Sequence, residues 1–223
     1  MFVGVDGTRN GWVYCIINEN GEVALRFFEE FTIPFVISQL LIDIPVGLPE
    51  KGERLSDVLG KKMLSKRASC IFSVPVRKAV YCNSYTEALK INREFQGKGF
   101  SKQFWNIRHK VIEIDSFLRE NPSFYDIALE SHPEICFTMF YGQPLPSKYS
   151  VEGIDIRLKL LDSYLPKISD EIFRVHEKLK IPVHDLVDAS VLAISQFFEL
   201  QSVPDIPQFD EYGIPMRIVY PKV

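Results

Sequence analysis

The sequence predicts a mixed α/β fold: a three-strand antiparallel meander, then parallel strands, with helices flanking the sheet and a basic helical insertion. Three observations predict it. Apolar runs at residues 2–6, 12–17 and 23–28 follow one another across short turn-like stretches, the pattern of a meander. "LLIDI" at 40–44 is a nearly continuous apolar run, as in a central strand buried on both faces. After residue 130 the apolar spacing is mostly helical until a final strand-like stretch.

The first hairpin lies in "VGVDGTRNGWV". Asp-Gly between two strand-like runs is a strong hairpin signal, because Gly7 accepts positive φ and Asp6 can hydrogen-bond its own turn. The turn is therefore expected at Asp6 and Gly7, which leaves Asp6 at the rim of the sheet. The meander continues through "NENGEV" into the third strand, and a short segment at 31–39 leads to the strand at 40–44. Pro45 and Pro49 end that strand.

Residues 54–119 are mostly helical in pattern, broken by "SVPVRK" and "FQGKGFSK". "DIALE" at 126–130 is the next strand, and Ser131 with Glu134 forms an S-x-x-E capping box that opens a helix. Helices are expected at 153–164 and 169–180, and a third starts near His184 after Pro182. "GIPMRIVYP" closes the chain as a terminal edge strand.

With 223 residues and 46% hydrophobic content, the chain can bury one sizeable core. The expectation is a single domain, 1–223, with residues 50–120 as a helical insertion within it. No stretch approaches the roughly 18 apolar residues of a membrane span, and Asp6 interrupts the apolar start before a signal-peptide core could form. A cytoplasmic protein with no membrane partner is expected. Cys15, Cys70, Cys82 and Cys136 form no close pair, so they are expected to be reduced thiols.

The formal net charge of −3 conceals a strong asymmetry: residues 61–110 carry +10 and the remainder −13. Such a division points to a polyanionic partner, namely nucleic acid. Arg77, Lys98 and Lys102, in loop-like stretches of this segment, are the candidate phosphate contacts, with Lys148 and Arg157 as weaker ones. Phe100, Phe104 and Trp105 offer stacking faces for unpaired bases, or else are core aromatics of a solvated helical face.

Three apolar strands each end in an acid: "VGVD" at Asp6, "LLID" at Asp43 and "DIALE" at Glu130. A carboxylate inside such a run must be neutralised, paired or bound to a cation. Strand ends of open α/β sheets are also where ligands bind. "HDLVDA" adds Asp185 and Asp188, three apart on one face of a helix start, where N-capping and a functional role are equally open. His132 and His184 stand next to these acids in a supporting role. Several hard oxygen ligands on a sheet edge suit Mg²⁺ or Mn²⁺. Two such ions about 4 Å apart can drive an in-line phosphoryl displacement, with Asp6 as the natural bridge.

"GVDGTRNGWV", "IDIPVGLP", "SVPVRKAVY", "GKGFSKQFWNI", "LESHPEICF", "HDLVDA" and "GIPMRIVYP" together resemble the domain-of-unknown-function family 429, described as predicted nucleases of ribonuclease H-like fold. RuvC-type Holliday junction resolvases, in the wider superfamily, carry an aspartate on the first strand, an acid at the end of the fourth, and an acid pair in a late helix. Asp6, Asp43 and the pair Asp185 and Asp188 occupy matching places. The resemblance implies a ribonuclease H-like mixed sheet and a metal-dependent nuclease. Asp6, Asp43 and Asp188 would be metal ligands, assisted by Glu130 and Asp185; Glu130 has no clear counterpart. Arg77, Lys98, Lys102 and Trp105 would contact nucleic acid.

Two other functions fit parts of the pattern. A non-catalytic nucleic-acid-binding protein explains the basic segment but not the strand-end acids. An ATP-dependent phosphotransferase shares the Asp-Gly start, but the chain contains no Gly-Gly pair and no P-loop.

Overall fold

The structure, a computed structural model, describes residues 1–33 and 36–223; part of the expected 31–39 segment, Pro34 and Phe35, lies outside the described residues. The chain divides into two compact units.

The first unit comprises Met1–Asp43, Ile127–Gln201 and Val219–Val223. Its sheet has the strand order β3-β2-β1-β4-β5, with β1 (Phe2–Thr8), β2 (Gly11–Ile17), β3 (Val23–Phe28), β4 (Leu40–Ile42) and β5 (Ala128–Glu130). The meander pairs antiparallel, while β4 lies parallel between β1 and β5. The expected mixed sheet is therefore present. Its helices are α5 (Pro133–Tyr141), α6 (Val151–Tyr164), α7 (Ile168–Leu179) and α8 (Val183–Ser195).

The hairpin differs from expectation in an informative way. Thr8 pairs with Gly11, so the turn is Arg9-Asn10, and Asp6 and Gly7 lie within the strand opposite Val13 and Trp12. Every residue of β2 is buried, and extending the pairing to Thr8 covers both β1 and β2 more fully than a turn at Asp6 would. Asp6 is thereby a buried strand residue, not a turn former.

Helix α8 is buried along almost its whole length from Leu186 onward and packs on β1 and β2. Gly4 permits the close approach: a Cβ there would lie 2.1 Å from the Ala189 carbonyl oxygen and 2.4 Å from the Ala193 nitrogen. The capping box is not formed. The N-cap of α5 is His132, whose Nδ1 accepts from the Glu134 N–H, while Ser131 donates its hydroxyl to the Val219 carbonyl at 2.7 Å. Glu134 instead binds Arg157.

The second unit comprises Ile44–Asp126 and Ser202–Ile218. It contains α1 (Leu55–Leu64), α2 (Arg77–Val80), α3 (Tyr85–Gln96) and α4 (Lys102–Glu120), along with most of a ribbon in which β6 (Leu200–Phe209) pairs with β7 (Pro215–Pro221). Ser84 and Ser101 open α3 and α4 by accepting the Glu87 and Phe104 N–H groups with their hydroxyls, Ser101 within the break the sequence marks at 95–102. The final strand was expected; β6 was not, because Pro204 and Pro207 argue against a strand. In a two-stranded ribbon β6 has an outer edge, where a proline costs no ladder bond.

None of the four cysteines forms a disulfide. Burial pushes the thiols of Cys15 and Cys136 up, to about 12 and about 11. Among the described residues no helix is long and apolar enough to cross a membrane.

Candidate metal centre

Strand register brings the first two acids together. Val5 lies beside Ile42 in the parallel pair, and the Asp43 N–H donates to the Val5 carbonyl at 2.9 Å, so Asp6 and Asp43 are the next neighbours along the two strands. Side chains in register share a face and successive ones alternate. Gly4, two residues before Asp6, faces α8, so Asp6 faces it too. Asp188, in the second turn of α8, completes the group: one carboxylate oxygen each from Asp6, Asp43 and Asp188 lie within 4.8 Å of one another.

The same register separates Glu130 from this group. Glu130 pairs with Ile42, and therefore shares the face of Val5 and Ile42 rather than that of Asp6 and Asp43. The position in register with Asp43 is Ser131, whose N–H donates to the Ile42 carbonyl. Alternation of the pleat removes Glu130 from the cluster by one residue.

Asp185 borders the triad. It stands one turn before Asp188 in α8, whose N-cap is Pro182, so it is not the cap the sequence left open. Thr8 hydrogen-bonds its carboxylate, and His184 Nε2 lies 3.2 Å from its Oδ1. A groove of about 560 Å³ opens at Thr8, with Arg9, Lys180 and Phe27 in its lining.

Electrostatics within the group are those of crowded acids. Burial, then repulsion from Asp43, Asp188 and Asp185, raises the Asp6 pKa well above the ordinary carboxylate value. Burial, then Asp188, pushes Asp43 up to about 7. Burial likewise raises Asp185, with the Thr8 bond opposing it.

Lys148, which the sequence marked only as a weak phosphate contact, is part of this centre. Its ammonium donates to Asp188 Oδ2. Burial alone would lower its pKa, but Asp188, Asp6 and Asp43 together raise it beyond the ordinary lysine value. The loop that carries it is held by Arg157, a fully buried guanidinium that donates through Nη1 to the Pro146 carbonyl at 2.9 Å and through Nη2 to both Glu134 carboxylate oxygens at 2.8 and 2.9 Å. Arg157 is thus a structural clamp and offers no phosphate contact. No spacing signal links Lys148 to the acids; the loop is placed only by long-range packing.

The donor set fits a hard divalent cation. It consists of carboxylate oxygens alone, and Asp188 Oδ1 is buried with no hydrogen-bond partner. An orphaned buried carboxylate oxygen is costly, and a cation among the three acids would satisfy it.

In the second unit, the candidate phosphate contacts separate. Arg77 is buried in α2, with Asp115, Asp210 and Glu211 around its guanidinium, which corrects its expected place in a solvated loop. It serves the interior of the unit. Lys98 is paired with Glu53, and Lys102 is exposed at the start of α4. Trp105 is partly exposed, with the Arg108 guanidinium 3.7 Å over its ring. Phe104 is fully buried and Phe100 nearly so, meeting edge to face at 5.8 Å, so both are core aromatics rather than stacking platforms.

Fold and site together define a mixed α/β protein with a buried carboxylate cluster on one sheet face. The chain belongs to the family described as Protein of unknown function (DUF429), whose model matches residues 4–199. No curated protein and no solved structure matches the chain.

Proposed function

We propose that the protein is a divalent-metal-dependent phosphodiester hydrolase acting on nucleic acid, built on a ribonuclease H-like sheet. The observation that carries this reading is the convergence of Asp6, Asp43 and Asp188 within 4.8 Å, with Asp188 Oδ1 buried and unpartnered. The strand order β3-β2-β1-β4-β5, with an aspartate on the first strand beside the acid that follows the fourth, supports the ribonuclease H-like assignment.

Asp6, Asp43 and Asp188 would hold Mg²⁺ or Mn²⁺. When bound, the ion supplies Lewis-acid stabilisation of charge developing on the phosphoryl group and acidifies water. The chain's own residues do the rest. The central strand holds Asp6 rigidly, which keeps the reacting geometry. Asp185, oriented by Thr8, is the remaining acid available to take a proton from the attacking water. Arg9, Lys180 and Phe27, in the groove beside Thr8, provide cations and a ring face suited to a nucleotide flanking the cleaved bond. Lys98, Lys102 and Trp105, within the +10 segment, would make nucleic-acid contacts of their own.

Calorimetric titration of Mn²⁺ into the wild type and into Asp6→Asn and Asp188→Asn variants tests the centre without a guess about substrate. Saturable binding in the wild type that is lost in both variants supports the reading and justifies a screen of single-stranded, duplex, hybrid and junction substrates. A wild type that takes up no ion ends it.

A further inference from the structure

This inference rests on the reading of the carboxylates as a metal centre and concerns how many cations that centre takes. Asp6, Asp43 and Asp188 carry a formal charge of −3. Lys148, bonded to Asp188 Oδ2, brings the group to −2, which one divalent ion neutralises. A second divalent ion would leave the triad and lysine with an excess of +2, of which neighbouring Asp185 offsets only one charge, in a buried site where Asp6 and Asp188 are nearly inaccessible, and uncompensated buried charge is expensive.

The ligand geometry agrees with this balance. With the ammonium on Oδ2, Asp188 keeps only Oδ1 for a metal, and that oxygen is the unpartnered one. One ion can then draw on Asp6, Asp43 and Asp188 Oδ1, while Asp188 Oδ2, the oxygen Asp188 could offer a second ion, is taken by Lys148.

Lys148 is not a surface lysine that fell by chance against an acid. Its loop is built to a fixed shape. Arg157 grips the Pro146 carbonyl and is itself anchored through Nη2 on both carboxylate oxygens of Glu134. The Ser147 carbonyl accepts from the Ser150 hydroxyl at 2.8 Å, and Ser150 in turn caps α6 by accepting from the Gly153 N–H at 3.0 Å. Gly153 has no room for a side chain: a Cβ there would lie 2.0 Å from the Ser147 carbonyl oxygen. Three separate contacts thus fix the residues on either side of Lys148, and they cost conformational entropy that a casual surface loop would not surrender. The Lys148 side chain remains 23% exposed while its ammonium reaches the nearly inaccessible Asp188, so the residue runs between solvent and the centre.

We propose that the centre binds one divalent ion and that the Lys148 ammonium takes the place of a second, holding Asp188 and facing the anionic substrate. The class of site is therefore one metal plus one lysine rather than a metal pair.

Mn²⁺ binding, followed by calorimetry and by electron paramagnetic resonance, tests this on the full chain. The wild type is expected to bind one Mn²⁺ and to show an isolated-ion spectrum at every excess of metal. Lys148→Met is expected to bind the first ion about tenfold more tightly, because a like-charged neighbour has been removed, and to admit a second ion. Lys148→Gln, which removes the charge but can still hydrogen-bond Asp188, should also tighten the first ion and serves if the methionine variant does not fold. Lys148→Arg should keep a stoichiometry of one. Two ions or a spin-coupled pair in the wild type overturns the proposal while leaving the metal-centre reading intact, as does an affinity unchanged by loss of the Lys148 charge. A wild type that binds no Mn²⁺ removes the metal-centre reading itself.

Discussion

Gly4 and Ala189 approach so closely that a Cβ on Gly4 would sit 2.1 Å from the Ala189 carbonyl oxygen. This contact sets the separation of β1 from α8, and with it the separation of Asp6, two residues along the strand, from Asp188, one residue before Ala189. Backbone cannot yield as a flexible side chain can. Gly4→Ala is expected to destabilise the protein by about 3 kcal/mol, the upper end of overpacking penalties, and to weaken Mn²⁺ binding as Asp188 moves off the sheet. Chemical denaturation and metal titration of the variant measure the two effects. Unchanged values in both would mean that α8 shifts freely and that the site does not depend on this contact.

Stability without metal should fall as pH rises through the range set by Asp43. The group titrates near 3.8 in an unfolded chain and near 7 in the fold. Between these values the folded protein keeps a proton that the unfolded chain has released, so each rise in pH favours unfolding, and the loss levels off above pH 7. Asp6, also raised, adds to the same trend. Melting temperatures in EDTA should therefore decrease from pH 4 to 7, and Asp43→Asn should flatten the slope. A slope of opposite sign would show that the acids are stabilised as anions.

Arg157 and Glu134 form an ion pair in which the guanidinium is fully buried and Nη2 donates to both carboxylate oxygens. Removing one member strands the other away from water. Arg157→Met should cost about 3 to 5 kcal/mol, whereas the double variant with Glu134→Gln should recover part of that loss. Urea denaturation of the single and double variants provides the check, and strict additivity would count against a direct pair.

Cations in the second unit should sort by burial. Arg77→Ala strands Asp115 and Asp210 and should be strongly destabilising, while exposed Lys102→Ala should leave the melting temperature within about a degree. If Lys102 meets a phosphate, its loss should reduce the salt dependence of nucleic-acid binding by roughly 0.9 in the log-log slope. Fluorescence anisotropy with a labelled oligonucleotide at several salt concentrations measures it; an unchanged slope removes Lys102 from the interface.

By itself, the sequence determined whatever depends on local pattern. The meander, the buried strand at Leu40, the helices after residue 133 and the acids at the strand ends were all legible, because apolar periodicity and strand length are written residue by residue. Asp6, Asp43 and the helical pair Asp185 and Asp188 could be named as candidates for the same reason, a carboxylate in or beside an apolar run being conspicuous, while the choice of Asp188 as a ligand came with the family resemblance.

Tertiary structure alone decided which of those acids meet. Glu130 ends its strand just as Asp43 follows its own, yet the parallel register places Ile42 beside it, and alternation turns it to the other face. The hairpin turn moved from Asp6-Gly7 to Arg9-Asn10 because burial of β2 favours a longer ladder than the Asp-Gly signal implies. Lys148 joins the acids from a distant loop held by Arg157, and Arg77 leaves the expected phosphate surface for a buried cage of carboxylates. Charge and register act across the fold between residues far apart in the chain, so no local spacing records them.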